Sequence, residues 1–213
     1  PYQQKAIDDL YNYFVKHTGN PIVVIPGGGG KSLIMAEWYQ KVFDIDPQAR
    51  ILMLTTRKEL IDQNYKELKG IWPDAPAGIY SASLKRKQIS ARILMAGIQS
   101  IHTKAYKVQQ CDMVIIDECQ DISFKDTTMY RRFLADLKAI NPHLKIIGFT
   151  ATAFRTDGGS LIEGENALFT GIAHETPITE LFDEGYLTRP ARPKFDAGGF
   201  VLKSDGIGSR LGD

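Results

Sequence analysis

The sequence predicts an α/β fold, a doubly wound, mostly parallel sheet flanked by helices. Three observations carry that prediction. Short apolar runs (IVVI, ILML, MVII) alternate with longer stretches of helical apolar spacing. The short runs lack the polar alternation of a half-exposed strand, as befits strands buried on both faces. Small, polar and charged residues collect just after those runs, where open α/β sheets bind their ligands.

The elements follow in chain order. YQQKAIDDLYNYFVK (2–16) spaces Ala6, Ile7, Leu10, Tyr11, Phe14 and Val15 as a helix, and Pro1 suits a first turn. Ile22–Ile25 reads as a β-branched strand, followed by glycines and then by the helix SLIMAEWYQKVF. ILML (51–54) and KELIDQNYKEL (58–68) repeat the strand–helix unit. RILMA (92–96) and MVII (113–116) read as strands, TTMYRRFLADLKAI (127–140) as a helix and KIIGF (145–149) as a strand. From about Thr188, prolines, glycines and isolated charges replace periodicity, so 188–213 reads as a linker or docking tail.

Composition bounds the function classes. The 213 residues, 43% hydrophobic and 24% charged, suit one domain with a sizeable core. A net charge of +1 means that any nucleic-acid surface is a local patch. Cys111 and Cys119 lack zinc-like spacing and read as reduced thiols of a cytoplasmic protein. His17, His102, His143 and His174 are scattered, which argues against a metal site built from protein ligands alone. No apolar run approaches membrane-spanning length, and no signal segment is visible. The chain opens at Pro1 without a methionine, so a preceding segment is expected to be missing or removed.

The strand exits form one constellation. They carry Gly27 to Ser32, then Thr55, Thr56 and Arg57, then Gln99 and Ser100, then Asp117 and Glu118, then Thr150 and Thr152. IVVIPGGGGKS departs from the strict phosphate-loop pattern, which asks for glycine where Ile25 stands. A flexible turn with a solvated lysine is the alternative reading. Strand, glycine loop and helix is nonetheless the context a phosphate cradle requires, and glycines at 28 and 30 let backbone N–H groups wrap phosphates. Lys31 is then expected to reach the β- and γ-phosphates, and Ser32 to take one position on Mg²⁺. Asp117 is expected to hold that Mg²⁺ through water, and Glu118 to orient and deprotonate an attacking water. A second acid beside Asp117 favours water over a substrate hydroxyl as nucleophile, hence an ATPase over a metabolite kinase.

Read together, these exits resemble the first motor domain of superfamily 2 helicases, a RecA-like nucleotide-binding domain. PYQQKAIDDL resembles the adenine-reading segment, with Gln3 as the matching glutamine. PGGGGKS matches the family form in which the first loop position is not glycine, so Gly27, Gly28, Gly29, Gly30, Lys31 and Ser32 would bind ATP. LTTRKELIDQ and AGIQSI resemble the motifs in which Thr56, Arg57, Gln99 and Ser100 would contact the nucleic-acid backbone. IIDECQD matches the DEAH/DECH box, and FTATAFR the motif whose Thr150 and Thr152 would link hydrolysis to strand movement. SASLKRK and NPHLKIIGFTAT bring the chain near RadD-type bacterial repair helicases and similar phage proteins.

The resemblance spans Pro1 to about Leu187. It implies ATP and Mg²⁺ as ligands, DNA as the nucleic acid, and a second RecA-like domain of the same polypeptide, with a single-strand-binding protein as a candidate further partner. The length leaves no room for that second domain, so the chain is expected to be the first half of a motor, slow or inactive alone. Gln120 replaces the usual His or Asp of the box, and Ala153 replaces a usual proline, which alters coupling without touching the ATP chemistry. Arg155 is a weaker nucleic-acid candidate than Arg57. Lys85, Arg86, Lys87 and Arg92 form the densest basic run, with a solvated loop as the competing reading. Trp38 and Trp72 read as packing residues. Two rivals remain open here, a duplex translocase or restriction-type subunit that does not unwind, and a binding module that holds nucleotide without hydrolysing it.

Overall fold

The structure, a computed structural model, describes residues 2–156, 158–164 and 167–188. Of the tail expected over 188–213, all but Thr188 lies outside the described residues, as does Pro1. Helix α1 (Tyr2–Lys16) precedes β1 (Pro21–Val24), and α2 (Lys31–Ile45) follows the glycine loop. Then come β2 (Ile51–Thr55), α3 (Lys58–Ile71), β3 (Ala77–Ser81), β4 (Arg86–Lys87) and β5 (Ile93–Gly97). The short helices α4 (Ile98–Ile101) and α5 (Ala105–Val108) lead to β6 (Met113–Ile116) and a 3₁₀ turn at Cys119–Asp121. Helix α6 (Phe124–Ile140), β7 (Lys145–Thr150), β8 (Gly171–Glu175) and α7 (Ile178–Asp183) complete the described chain.

The strands form one 8-stranded sheet in the order β4-β3-β5-β2-β6-β7-β1-β8. Every pairing is parallel except β3 with β4. Along β2 the side chains alternate between two cores. Ile51 and Met53 pack under α1, α2 and α3 with Val23, Ile115 and Phe149, whereas Leu52 and Leu54 face Tyr130, Phe133 and Ile146 on the opposite side. Both layers are buried, which is why the strands read as unbroken apolar runs. Trp38 belongs to the core as expected, and its indole N–H donates to Met113 Sδ at 3.0 Å.

Strands β3, β4 and β8 are not evident in the sequence. Each lies in the outer part of the sheet, and AGIYS and GIAHE lack an apolar run long enough to register. At the β8 edge, His174 is buried between Asp9 of α1, at 2.7 Å, and Thr176, at 2.8 Å, so a polar contact fastens α1 to this strand. Both cysteines are reduced and buried, and burial pushes the Cys111 thiol up to about 12. No helix among the described residues is long and apolar enough to cross a membrane.

Candidate nucleotide and nucleic-acid sites

Because the strands run parallel, their carboxyl ends share one edge, and strand order fixes what stands beside what. Along that edge β3 presents Ser81, β5 leads to Gln99 and Ser100, and β2 leads to Thr56 and Arg57. Next come Asp117 and Glu118 after β6, Thr150 at the end of β7, and the glycine loop after β1. The residues expected on nucleic-acid backbone therefore occupy one half of the edge, and those expected on nucleotide the other.

The nucleotide half starts with backbone shape. Gly28 and Gly30 adopt φ of 77° and 71°, the left-handed region that side chains disfavour. Gly30 then caps α2, whose first N–H groups, on Lys31 and Ser32, have no intrahelical acceptor by the geometry of any α-helix. A 15-residue helix aims its positive end at this point. From α1, the Tyr2 hydroxyl donates to Gly29 O at 2.7 Å, holding the loop against the turn that carries Gln3. Nothing in the sequence pattern points to that brace.

Lys31 and the acid pair converge. Lys31 Nζ lies 3.1 Å from Glu118 Oε1, and both side chains are largely withdrawn from water. Glu118 itself sits at φ 48° and ψ 49°, a strained backbone for a residue with a Cβ, which lifts its carboxylate off the strand line. Its Oε2 accepts a hydrogen bond from Gln120 Nε2 at 2.5 Å, while the Thr150 hydroxyl donates to Gln120 Oε1 at 2.6 Å. The Thr152 N–H donates to Thr150 Oγ1 at 3.2 Å. Gln120 thus joins the β6 and β7 exits within this domain.

Asp117 is buried, and burial raises its pKa, with the Glu118 charge adding to the rise; the Asn64 amide and Lys31 oppose it. Asn64 Nδ2 donates to Asp117 Oδ2 at 2.6 Å. Motif reading alone misses Asn64, which looks like an ordinary helix residue. One signal is available: it falls on the stripe of α3 that also holds Ile61 and Leu68, where a polar amide needs a partner.

The other half of the edge holds a cavity of about 690 Å³ lined by Thr56, Arg57, Ser81, Gln99, Ser100 and Lys104. Four of these are expected from the sequence; Ser81 and Lys104 are not, and the β3 pairing and the α4 turn bring them in. Ser100 Oγ accepts the Ala82 N–H at 3.1 Å, tying the β3–β4 hairpin to α4. Arg57, at the N-terminus of α3, is 63% exposed and its Nη2 lies 2.7 Å from Asp121 Oδ2. Helix α3 therefore grips the acidic turn twice, through Arg57 at Asp121 and through Asn64 at Asp117. Of the basic run, Arg86 stacks over the Tyr65 ring and Arg92 bonds Gln48.

Arg155 departs from expectation. It is buried, and its Nη2 donates to Ile122 O at 2.8 Å and to Thr127 Oγ1 at 2.7 Å, so the guanidinium fastens the turn after the acid pair to α6 instead of reaching the cavity. Arg155→Ala is expected to lower unfolding free energy by about 3 kcal/mol, the cost of two charge-assisted bonds, in a urea titration. Its nucleic-acid affinity, by contrast, should stay within about a factor of two of wild type.

Several known proteins are similar to this chain in sequence or in fold. IRC3 of Saccharomyces cerevisiae, a proposed ATP-dependent helicase, is 28% identical over 195 residues, which cover 87% of this chain and 27% of IRC3. The UvsW helicase of bacteriophage T4 superposes with a TM-score of 0.61 at 17% identity, covering 81% of this chain and 58% of UvsW. The type ISP restriction–modification enzyme LlaGI, seen with a DNA substrate mimic, gives a TM-score of 0.62 at 12% identity over 87% of this chain and 20% of LlaGI. The chain thus spans only a part of each of these relatives. At such identities the structural matches establish the fold, a RecA-like domain. Residues 1–155 match the family described as the res subunit of type III restriction enzymes, ResIII, and the chain belongs to that family.

Proposed function

We propose that this chain is the ATP-binding first motor domain of a DNA helicase, one that couples ATP hydrolysis to movement along DNA and strand separation. The observation that carries the reading is the division of one sheet edge into a phosphate loop facing an acid pair and an adjacent cationic cavity, joined by the Arg57–Asp121 pair. Gly27–Ser32 cradle the triphosphate, Gln3 reads the adenine, and Glu118 takes the proton of the attacking water. Thr150, Thr152 and Gln120 sense the γ-phosphate and relay its presence. Thr56, Arg57, Gln99 and Ser100 hold phosphates of the nucleic acid.

Mg²⁺ fits the donors present. Ser32 would offer a hard oxygen to the ion directly and Asp117 would hold it through water, and among the described residues no group of three His, Cys, Asp or Glu forms a cage. Such a set suits an ion that draws most of its ligands from water and phosphate. When bound, Mg²⁺ neutralises charge on the β- and γ-phosphates. In this reading residues 1–187 form the motor domain, and 188–213 lead to a second RecA-like domain that supplies the arginine finger. The isolated chain then turns over slowly. Its setting is the cytoplasm, its process DNA repair, and a single-strand-binding protein is a candidate partner.

Arg57→Ala tests the nucleic-acid half. It should weaken binding of a single-stranded oligonucleotide several-fold and flatten the slope of log K against log salt by about 0.7, one lost phosphate contact. Unchanged affinity and slope would remove Arg57 from the interface. A second reading, duplex translocation without unwinding, draws support from the family's restriction-enzyme description and from LlaGI. Strand displacement by the whole protein separates the two.

A further inference from the structure

We propose that Asn64 is a positioning residue for Asp117, fixing the carboxylate in the orientation from which it serves Mg²⁺·ATP. The inference rests on the reading of Asp117 as the metal-side carboxylate. Asp117 Oδ2 accepts from Asn64 Nδ2 at 2.6 Å and Oδ1 from the Glu118 N–H at 3.0 Å, so each oxygen has a fixed donor. The Glu118 donor is one residue along and moves with the strained turn. Asn64 belongs instead to α3, a 14-residue helix packed on β2, β3 and β5, and so supplies this carboxylate with a rigid reference from outside its own loop.

The choice of side chain points the same way. Asn64 is 6% exposed and lies on the core stripe between Ile61 and Leu68, a place where leucine would pack well. A buried amide is costly unless hydrogen-bonded, and the other neighbour of its Nδ2, Met53 Sδ at 4.0 Å, is a distant and weak acceptor. The Asp117 bond thus accounts for a polar group in an otherwise apolar row. Residues that orient a metal-side carboxylate typically change metal affinity about 10–100-fold when removed.

The experiment is a titration of the whole chain with a fluorescent ATP analogue, with Mg²⁺ and with EDTA, for wild type, Asn64→Leu and Asn64→Ala. The proposal expects metal-free affinity within about twofold of wild type in both variants. It expects the gain on adding Mg²⁺ to fall by about 10-fold or more. The positioning role is overturned if a folded variant keeps the full Mg²⁺ gain, or if metal-free and metal-dependent affinities fall together. It is also overturned if both variants fail to fold by circular dichroism, since the amide would then be a structural residue. Absence of nucleotide binding by wild type is a different result: it removes the nucleotide reading of the loop and this proposal with it.

Discussion

Glu118→Gln is expected to slow ATP hydrolysis by about 10²–10⁴-fold while leaving nucleotide affinity within a few-fold. Glutamine keeps the shape of the side chain and can still accept from Gln120, but it cannot take a proton from water. The backbone at this position is held left-handed, with Lys31 at 3.1 Å and Gln120 at 2.5 Å, so the carboxylate has little freedom and is aimed before water arrives. Single-turnover hydrolysis separates the chemical step from binding. A variant that hydrolyses at the wild-type rate would show that Glu118 is not the base, whereas no hydrolysis by the wild type would put the binding-module reading in place of the motor.

Lys31→Ala is expected to act earlier, at binding. Its side chain is only 12% exposed and stands at the start of α2 beside the glycine loop, where a triphosphate would exchange the Glu118 contact for its own oxygens. Charge-assisted bonds in a site shielded from water are the strong ones, worth about 1.5–3 kcal/mol each, so losing one is expected to cost about 10–10²-fold. The loss should appear in the dissociation constant for ATP by calorimetry, with the thermal midpoint held as a check on folding. Removing the lysine also leaves Glu118 without its cation, so a shift in the midpoint reports on that carboxylate and not on nucleotide energetics. Equal ATP affinity in variant and wild type would mean that GGGG is a flexible turn after all.

What is legible in the sequence is local. Unbroken apolar strands, helical spacing and the glycine loop each sit within a dozen residues, and the structure finds β1, β2, β5, β6 and β7 within a residue or so of where they are expected. Strand order is not local. Nothing in PGGGGKS says that two other strands, β6 and β7, bring Asp117 and Thr150 beside it, or that β2 and β5 turn Arg57 and Gln99 toward a separate cavity. Side-chain direction is equally nonlocal. Arg155 follows a motif that suggests an outward role, yet its bonds to Ile122 and Thr127, both buried, draw it inward. Asn64 is hidden because its partner lies 53 residues away, and only its place on an apolar stripe hints at one.

In the proposed motor, one sheet edge holds a nucleotide site and a nucleic-acid site in communication. The measurement that tests it most directly is the affinity of this chain for a fluorescent single-stranded oligonucleotide, with and without Mg²⁺·ATP, beside the Lys31→Ala protein. Nucleotide is predicted to change oligonucleotide affinity several-fold in wild type, a coupling of about 1 kcal/mol, and to leave it unaltered in Lys31→Ala. Oligonucleotide affinity that ignores nucleotide in both proteins would contradict it.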